Sequence, residues 1–124
     1  MKIRIKGNSL RLRLSRTEVD KLATEGRIEE QTEFNGGIFR YVLQAKKDTH
    51  LLDAELEGNT ITMYIGAELP SLWANNEQVG YSKTIVLQNG NQLSLLLEKD
   101  FKCIDSDSGE DQSDNYEHPS ITCN

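Results

Sequence analysis

Residues 1–16 read MKIRIKGNSLRLRLSR and contain two short alternating runs that meet at a Gly-Asn-Ser turn, residues 7–9. In both runs an aliphatic side chain alternates with a cation or a polar residue. This period of two predicts two half-buried strands with apolar side chains on one face. If the runs pair as a hairpin, the other face is basic. We call its cations the basic ribbon: Lys2, Arg4, Lys6, Arg11 and Arg13.

The length and charge of the chain predict one domain with an acidic C-terminal segment. The 124 residues are enough for a single buried core without help from metals or disulfides. The net charge of −6 is unevenly spread, with six cations and no acid in residues 1–16 and six acids without Lys or Arg in residues 105–124. We therefore predict a β-rich domain over residues 1–104. Residues 105–124 are predicted to be an acidic tail, partly disordered or docked back on the basic ribbon.

Two stretches have helical signals. Ser15 and Glu18 have the spacing of a capping box, and Gly26 follows at a distance typical of a helix C-terminus. These residues predict a short helix near residues 15–25. The segment near residues 70–78 contains Pro70 and the single tryptophan, Trp73, and predicts a helical turn or a loop that plugs one end of the sheet. We expect the indole in the core, with the roof of a pocket as the alternative.

The remaining apolar pattern predicts about eight strands joined by tight turns. Asn-Gly pairs at residues 35–36 and 89–90 are strong hairpin signals. The run 92–100 carries Leu93, Leu95 and Leu97 on one face and Leu96 on the other, which predicts a central strand covered on both sides. The fold class is therefore α+β, mostly antiparallel β, as a meander or a partly open barrel.

The string KGNSLRLRL at residues 6–14, followed by Glu18-Val19, Leu22 and Gly26, resembles the N-terminal half of AbrB/MazE-type swapped-hairpin DNA-binding domains. The resemblance covers residues 2–30 and implies a dimer whose Arg11 and Arg13 contact DNA. Ser15 and Arg16 stand where that family usually has a proline. We favour the alternative that the ribbon is the solvated face of an edge hairpin, whose cations discourage edge pairing.

A second alternative combines the basic ribbon with the alternating acids Asp53, Glu55 and Glu57. Lining a closed sheet, the two sets would form a charged tunnel similar to that of triphosphate tunnel enzymes, in which cations hold phosphates and carboxylates hold a metal. The Glu-x-Glu-x-Lys strand of those enzymes is missing here. A solvent-facing strand side is the simpler interpretation of the three acids.

The C-terminal segment offers candidate metal ligands. Cys103, His118 and Cys123 could supply three soft ligands with Asp105 or Asp107 as a fourth, although no Cys-x-x-Cys pair is present. The spacing of Asp105 and Asp107 also starts like a calcium loop, but the later positions do not fit one. A small buried side chain and a free thiol are the simpler roles of the cysteines, and whether they meet stays open.

Over its whole length the chain resembles a family of small bacterial proteins with no assigned activity, through IRIKGNSLRLRLS, LLLEKDFKC and GEDxSD. We accordingly predict a cytoplasmic, non-enzymatic interaction or small-ligand module with no cofactor and no catalytic residue. The basic ribbon is the predicted anion-binding site. A protein partner or a homodimer stays open, a membrane span is not expected, and nucleic acid and a polyphosphate-acting enzyme are the alternatives.

Overall fold

A computed structural model describes residues 1–101 and 114–116 of the chain. Within them lie eight strands and two helices, which confirms the predicted α+β class. The elements are, in chain order, β1 (Lys2–Lys6), β2 (Ser9–Leu14), α1 (Arg16–Glu25), β3 (Arg27–Phe34), β4 (Gly37–Lys46), β5 (Leu52–Glu57), β6 (Thr60–Gly66), α2 (Leu69–Ala74), β7 (Gly80–Val86) and β8 (Gln92–Lys99).

The strands form two open four-stranded sheets rather than a barrel. The first sheet has the order β1-β2-β8-β7 and the second the order β3-β4-β6-β5. Each sheet consists of two antiparallel hairpins whose second strands pair in parallel, β2 with β8 and β4 with β6. The strand order therefore differs from that of a simple meander. Hairpin signals in the sequence are local, whereas the parallel pairs join strands distant in the chain.

The core lies between the inner faces of the two sheets and is closed by the helices. From β2 it receives Leu10, Leu12 and Leu14, all at most 5% exposed. In register beside them, Leu95 and Leu97 of β8 are equally buried. Full burial of an aliphatic side chain is worth about 1.5–3 kcal/mol, so this pair of strands is a major source of stability.

Helix α1 begins and ends where the sequence predicts. The Ser15 side chain accepts from the Glu18 amide while the Glu18 carboxylate accepts from the Ser15 amide, which completes the capping box. Gly26 ends the helix with a left-handed φ of 74°, a conformation that glycine adopts without a Cβ penalty. The helix buries Val19 and Leu22 against the core.

Helix α2 confirms the predicted helical turn and places Trp73 in the core. The indole is completely buried, and its Nε1 donates to the Gln78 carbonyl at 2.9 Å. Its only polar group is thereby satisfied, which lets a large aromatic side chain fill the space without a desolvation penalty.

Strand β8 is central, as predicted, and lies between β2 and β7. The prediction that both of its faces are covered is wrong for the described residues. Leu96 is only half-buried and lies on the floor of an open concavity on the outer face of the first sheet. Strand β1 is an edge strand, which agrees with the interpretation of the ribbon as part of an edge hairpin.

Candidate anion-binding site

The outer face of the first sheet carries a concavity of about 480 Å³. Strands β1, β2, β7 and β8 all contribute to it, so its shape depends on the complete sheet. It is lined by Arg4, Lys6, Ser9, Leu10, Arg11, Ser82, Lys83, Thr84, Ser94, Leu95 and Leu96. Three cations of this lining, Arg4, Lys6 and Arg11, lie on the outer face of the sheet, and the described lining contains no carboxylate.

Strand register brings the predicted cations into one patch. On the β1–β2 hairpin Arg4 lies directly opposite Arg11, and Lys2 lies opposite Arg13. Residues that face each other across an antiparallel pair have Cβ atoms about 4.5–5.5 Å apart. The hairpin therefore holds like charges side by side, and the positive potential of the patch follows from backbone pairing.

Within the part of the chain that the structure describes, carboxylates neutralise this patch only in part. Glu98 lies 3.8 Å from the Arg11 guanidinium and 3.5 Å from that of Arg13, so one carboxylate serves two cations. Lys2 pairs with the buried Asp100 at 2.8 Å. In residues 1–101 and 114–116 no ion pair to Arg4 or Lys6 is formed.

The electrostatics of Arg11 reflect this crowding. Partial burial lowers the pKa of the Arg11 guanidinium, the neighbouring Arg13 lowers it further, and Glu98 acts in the opposite direction. Arginine stays charged at neutral pH even so. A partly desolvated guanidinium beside other cations gains interaction energy from an added anion, because the anion replaces both lost hydration and unfavourable neighbours.

Hydroxyl groups complete the concavity on the side away from β1. Ser9, Ser94 and Thr84 form one row across β2, β8 and β7, and Ser82 lies in the next row beside Leu96. The Ser9 hydroxyl donates to the Lys6 carbonyl at 2.6 Å, which fixes the tip of the hairpin. Hydroxyls can both donate and accept, so they suit the remaining oxygens of an anion held by the arginines.

The sequence predicted the ribbon but missed Ser82, Lys83, Thr84 and Ser94. Alternation along β7 places Ser82 and Thr84 on one face, and this signal was available. What the sequence did not indicate was the pairing of β2 with β8, which brings the second hairpin beside the first. The side chain of Lys83 lies on the inner face instead, because Lys83 is in register with the buried Leu95, and its Nζ donates to the His50 carbonyl at 2.5 Å.

The groups that line the concavity are suited to holding an anion. Its described lining holds guanidinium, ammonium and hydroxyl groups but no His, Cys, Asp or Glu that could act as a general base. Oxyanions such as phosphate are the ligands that clustered arginines and hydroxyls recognise. The geometry thus matches an anion site without an evident catalytic group.

Comparison with known protein families finds a match over most of the chain. Residues 1–120 match the family described as "Family of unknown function (DUF7009)". The chain belongs to this family. No curated protein and no solved structure matches this DUF7009 protein. The AbrB/MazE resemblance therefore stays a prediction, and in the structure the hairpin that carries it pairs with β8 of its own chain.

The charged tunnel does not form in the DUF7009 chain. Asp53 and Glu55 lie on the outer face of the second sheet, where the Tyr64 hydroxyl donates to Glu55. Their neighbours Leu52 and Ala54 face the shared core instead. Since the cations occupy the outer face of the first sheet, the core separates the two sets of charges, and the tunnel prediction fails on geometry.

The predicted metal ligands of this DUF7009 protein cannot be placed. Cys103, His118, Cys123, Asp105 and Asp107 all lie outside the described residues. Among the residues that are described, no three His, Cys, Asp or Glu side chains come close enough together to hold a metal ion. The described helices are also too short or too polar to cross a membrane.

Residues 114–116 contact the body at the start of α1. Asp114 accepts through its carbonyl from the Arg16 amide at 2.9 Å and through its carboxylate from the Thr17 hydroxyl at 2.8 Å. Hydrogen bonds from Ser15 and Thr17 hold the pKa of the Asp114 carboxyl below its usual value. The described part of the acidic segment thus docks on α1 and away from Arg4 and Arg11.

A second cavity of about 470 Å³ lies beside this contact and contains Lys99. Lys99 is 5% exposed, and its Nζ donates to the Asn76 carbonyl at 2.8 Å. The ammonium also lies 5.7 Å from the Trp73 ring and 5.1 Å from the Tyr116 ring, distances typical of cation–π contacts. Burial lowers the pKa of the Lys99 ammonium, and the charge of Arg16 adds to that effect.

Proposed function

We propose that this protein is a non-enzymatic module that binds a small anionic ligand in the concavity on the outer face of its first sheet. The observation that supports the proposal is the directly opposed pair Arg4 and Arg11 in a lining without carboxylates. Its cytoplasmic location, its bacterial origin and its independence of a cofactor belong to the same proposal.

The ligand class follows from size and chemistry. A volume of about 480 Å³ is larger than a bare inorganic ion needs and falls in the range of about 300–1,000 Å³ that small-molecule pockets occupy. Arginines prefer planar or tetrahedral oxyanions that accept two parallel hydrogen bonds. A phosphate or carboxylate group on a small organic molecule therefore fits best, with its anionic end between Arg4 and Arg11.

Strand pairing also supports the proposal energetically. Like charges directly opposite each other in an antiparallel pair destabilise the sheet by a few tenths to about 1 kcal/mol. A bound anion removes this cost, so ligand binding and sheet stability are coupled by mass action. A purely solvated edge hairpin needs no such arrangement, because one cation on β1 already discourages edge pairing.

The proposal is tested by titrating the protein with inorganic phosphate and pyrophosphate at low ionic strength while backbone amide shifts are recorded. We expect saturable shifts at Ser9, Arg11 and Ser94, and an affinity that falls as salt is added. The Arg11→Gln variant should bind at least about tenfold more weakly.

Lys21 on the exposed face of α1 provides the matched control. Lys21→Gln removes one positive charge without touching the concavity, so it should bind both anions as the unchanged protein does. Equal losses in Arg11→Gln and Lys21→Gln would show that only net charge matters, and the proposed site would be wrong.

Duplex DNA is the second candidate because the ribbon lies partly on an edge strand, where a large polyanion could reach Lys2, Arg4 and Lys6. It predicts retardation of duplex DNA that weakens steeply with salt and is lost in Arg11→Gln. Failure to retard any duplex at about 50 mM salt would remove this candidate and leave the small anion in place.

A further inference from the structure

An apolar cleft of about 370 Å³ lies on the other side of the β1–β2 hairpin from the anion concavity. It opens between the two sheets, where the hairpin tip approaches β5, β6 and the end of β7. The large apolar side chains of its lining are Ile5, Leu10, Leu56, Ile61, Leu87 and Leu93. Its volume falls in the range of small-ligand pockets.

The rim of this cleft exposes apolar surface that the described residues do not cover. Ile5 is 58% exposed and Leu56 is 70% exposed, whereas Leu10 on the floor is 5% exposed. Large aliphatic side chains around a recess favour an apolar ligand, because a ligand that covers them removes their hydrocarbon surface from water.

The polar groups of the cleft already have partners. Glu55 accepts from the Tyr64 hydroxyl, and the Asn8 amide donates to the Gln92 carbonyl. The Ser9 hydroxyl donates to the Lys6 carbonyl. None of these groups needs a polar ligand, so the cleft suits a hydrocarbon chain.

The cleft and the anion concavity lie on opposite faces of β2 beside the hairpin tip. Ser9 and Leu10 line both of them. Along β1 the alternation of side chains directs Ile5 into the cleft and places Lys6, the last residue before the turn, in the lining of the concavity. A molecule bound across the tip would thus meet hydrocarbon on one side and cations on the other.

From this juxtaposition we infer that the ligand is a single-chain amphiphile with an anionic headgroup, bound as a monomer. The headgroup contacts Lys6 and the opposed arginines, and the aliphatic chain lies in the cleft beside Ile5 and Leu56. The inference rests on the proposed function, because the headgroup occupies the anion site. A monomer is favoured over a bilayer surface because Leu10 on the floor of the cleft is recessed below the exposed rim at Ile5 and Leu56, where a single chain fits and a flat surface does not reach.

The experiment uses isothermal titration calorimetry of the full chain with decyl phosphate below its micelle concentration and with inorganic phosphate. We expect decyl phosphate to bind at least tenfold more tightly, which corresponds to about 1.4 kcal/mol. Decyltrimethylammonium bromide, with the same chain and the opposite charge, should bind at least tenfold more weakly than decyl phosphate.

Variants test the contribution of the aliphatic chain of the ligand separately from that of its headgroup. Ile5→Gln and Leu56→Gln change exposed side chains and should each remove most of the advantage of decyl phosphate while leaving phosphate affinity unchanged. Phe34→Gln is the matched control, because Phe34 is 61% exposed but does not line the cleft, so the variant should leave both affinities unchanged. Circular dichroism verifies that each variant is folded.

The outcomes are distinguishable. Equal affinities for decyl phosphate and inorganic phosphate would overturn the inference and leave the proposed anion site standing. No binding of either compound would overturn both. Binding to phosphatidylglycerol vesicles without binding to monomeric decyl phosphate would also overturn the inference, as would a loss in Phe34→Gln equal to that in Leu56→Gln.

Discussion

Arg4 and Arg11 lie directly opposite each other on β1 and β2, with a second cation pair, Lys2 and Arg13, one step further along the hairpin. Only Glu98 among the described residues forms an ion pair with Arg11. The hairpin therefore concentrates positive charge on one face of a protein whose net charge is −6. This local excess makes the stability of the sheet depend on anions and salt.

Removal of one cation of the opposed pair should stabilise the protein when no ligand is present. For Arg4→Gln we expect a gain of up to about 1 kcal/mol in the free energy of unfolding at low ionic strength, because a like-charge cross-strand contact is lost. The gain should shrink in about 1 M salt, which screens exposed charges over a few ångströms. Urea unfolding at both salt concentrations measures it, and a loss of stability at low salt would contradict the prediction.

Gly80 should tolerate no side chain. A Cβ at this position would lie 2.0 Å from the Leu97 carbonyl oxygen, which is backbone and cannot rotate away. We expect Gly80→Ala to destabilise the protein by about 3 kcal/mol, because β7 must move away from β8. The control is Gly36→Ala, where nothing lies within 4 Å and the change should stay within about 0.5 kcal/mol. Similar denaturation midpoints for the two variants would contradict this account.

Asp114 should stabilise the contact with α1 in its charged form. Its pKa is depressed in the folded protein, so its contribution is fully present above the ordinary value of 3.8 and is lost as the pH falls through the folded value. Because the carboxylate is exposed, we expect Asp114→Asn to lower stability at neutral pH by less than about 1 kcal/mol.

Asp114→Asn should lose less stability than the unchanged protein when the pH is lowered. The difference in unfolding free energy between the unchanged protein and Asp114→Asn should shrink toward zero as the pH is lowered below about 4. Thermal unfolding over a pH series measures it. A difference that stays constant across the series would show that the Asp114 carboxylate has no linkage to the contact.

Lys99 should make stability depend on pH in the alkaline range, whereas Asp114 acts in the acidic range. Its pKa lies below the ordinary 10.5 because of burial, so the unfolded chain binds more protons and stability rises as the pH increases through the folded value toward 10.5. Lys99→Met keeps an apolar stem of similar length beside Trp73 and removes this rise. As the pH is raised toward 10.5, stability should therefore increase less in the variant than in the unchanged protein. Parallel curves for the two proteins would contradict this.

Local signals in the sequence predicted the elements well. The capping box at Ser15 and the glycine at Gly26 identified α1, and alternation identified the strands with ends close to those observed. Each of these signals depends on a few neighbouring residues, so no knowledge of distant partners is needed. The basic ribbon followed from the same kind of pattern, since alternation places its cations on one face.

Sheet order and the complete site depended on contacts between distant residues. Alternation tells which face a side chain occupies but does not say which strand lies beside it. The parallel pairing of β2 with β8 therefore stayed hidden, and with it the placement of Ser82, Thr84 and Ser94 next to Arg11. The same limit explains why the prediction of a charged tunnel is wrong. The tunnel required the acids of β5 to share a cavity with cations that lie on the other sheet.

The basic face of this protein follows from the order of residues alone, because a period of two separates Arg11 and Arg13 from the leucines between them. The concavity lined by hydroxyls, and the apolar cleft on the other face of the same hairpin tip, arise only on folding. Charge and polarity are properties of residues in order along the chain. A cavity exists only when two distant hairpins pair and leave space between their side chains.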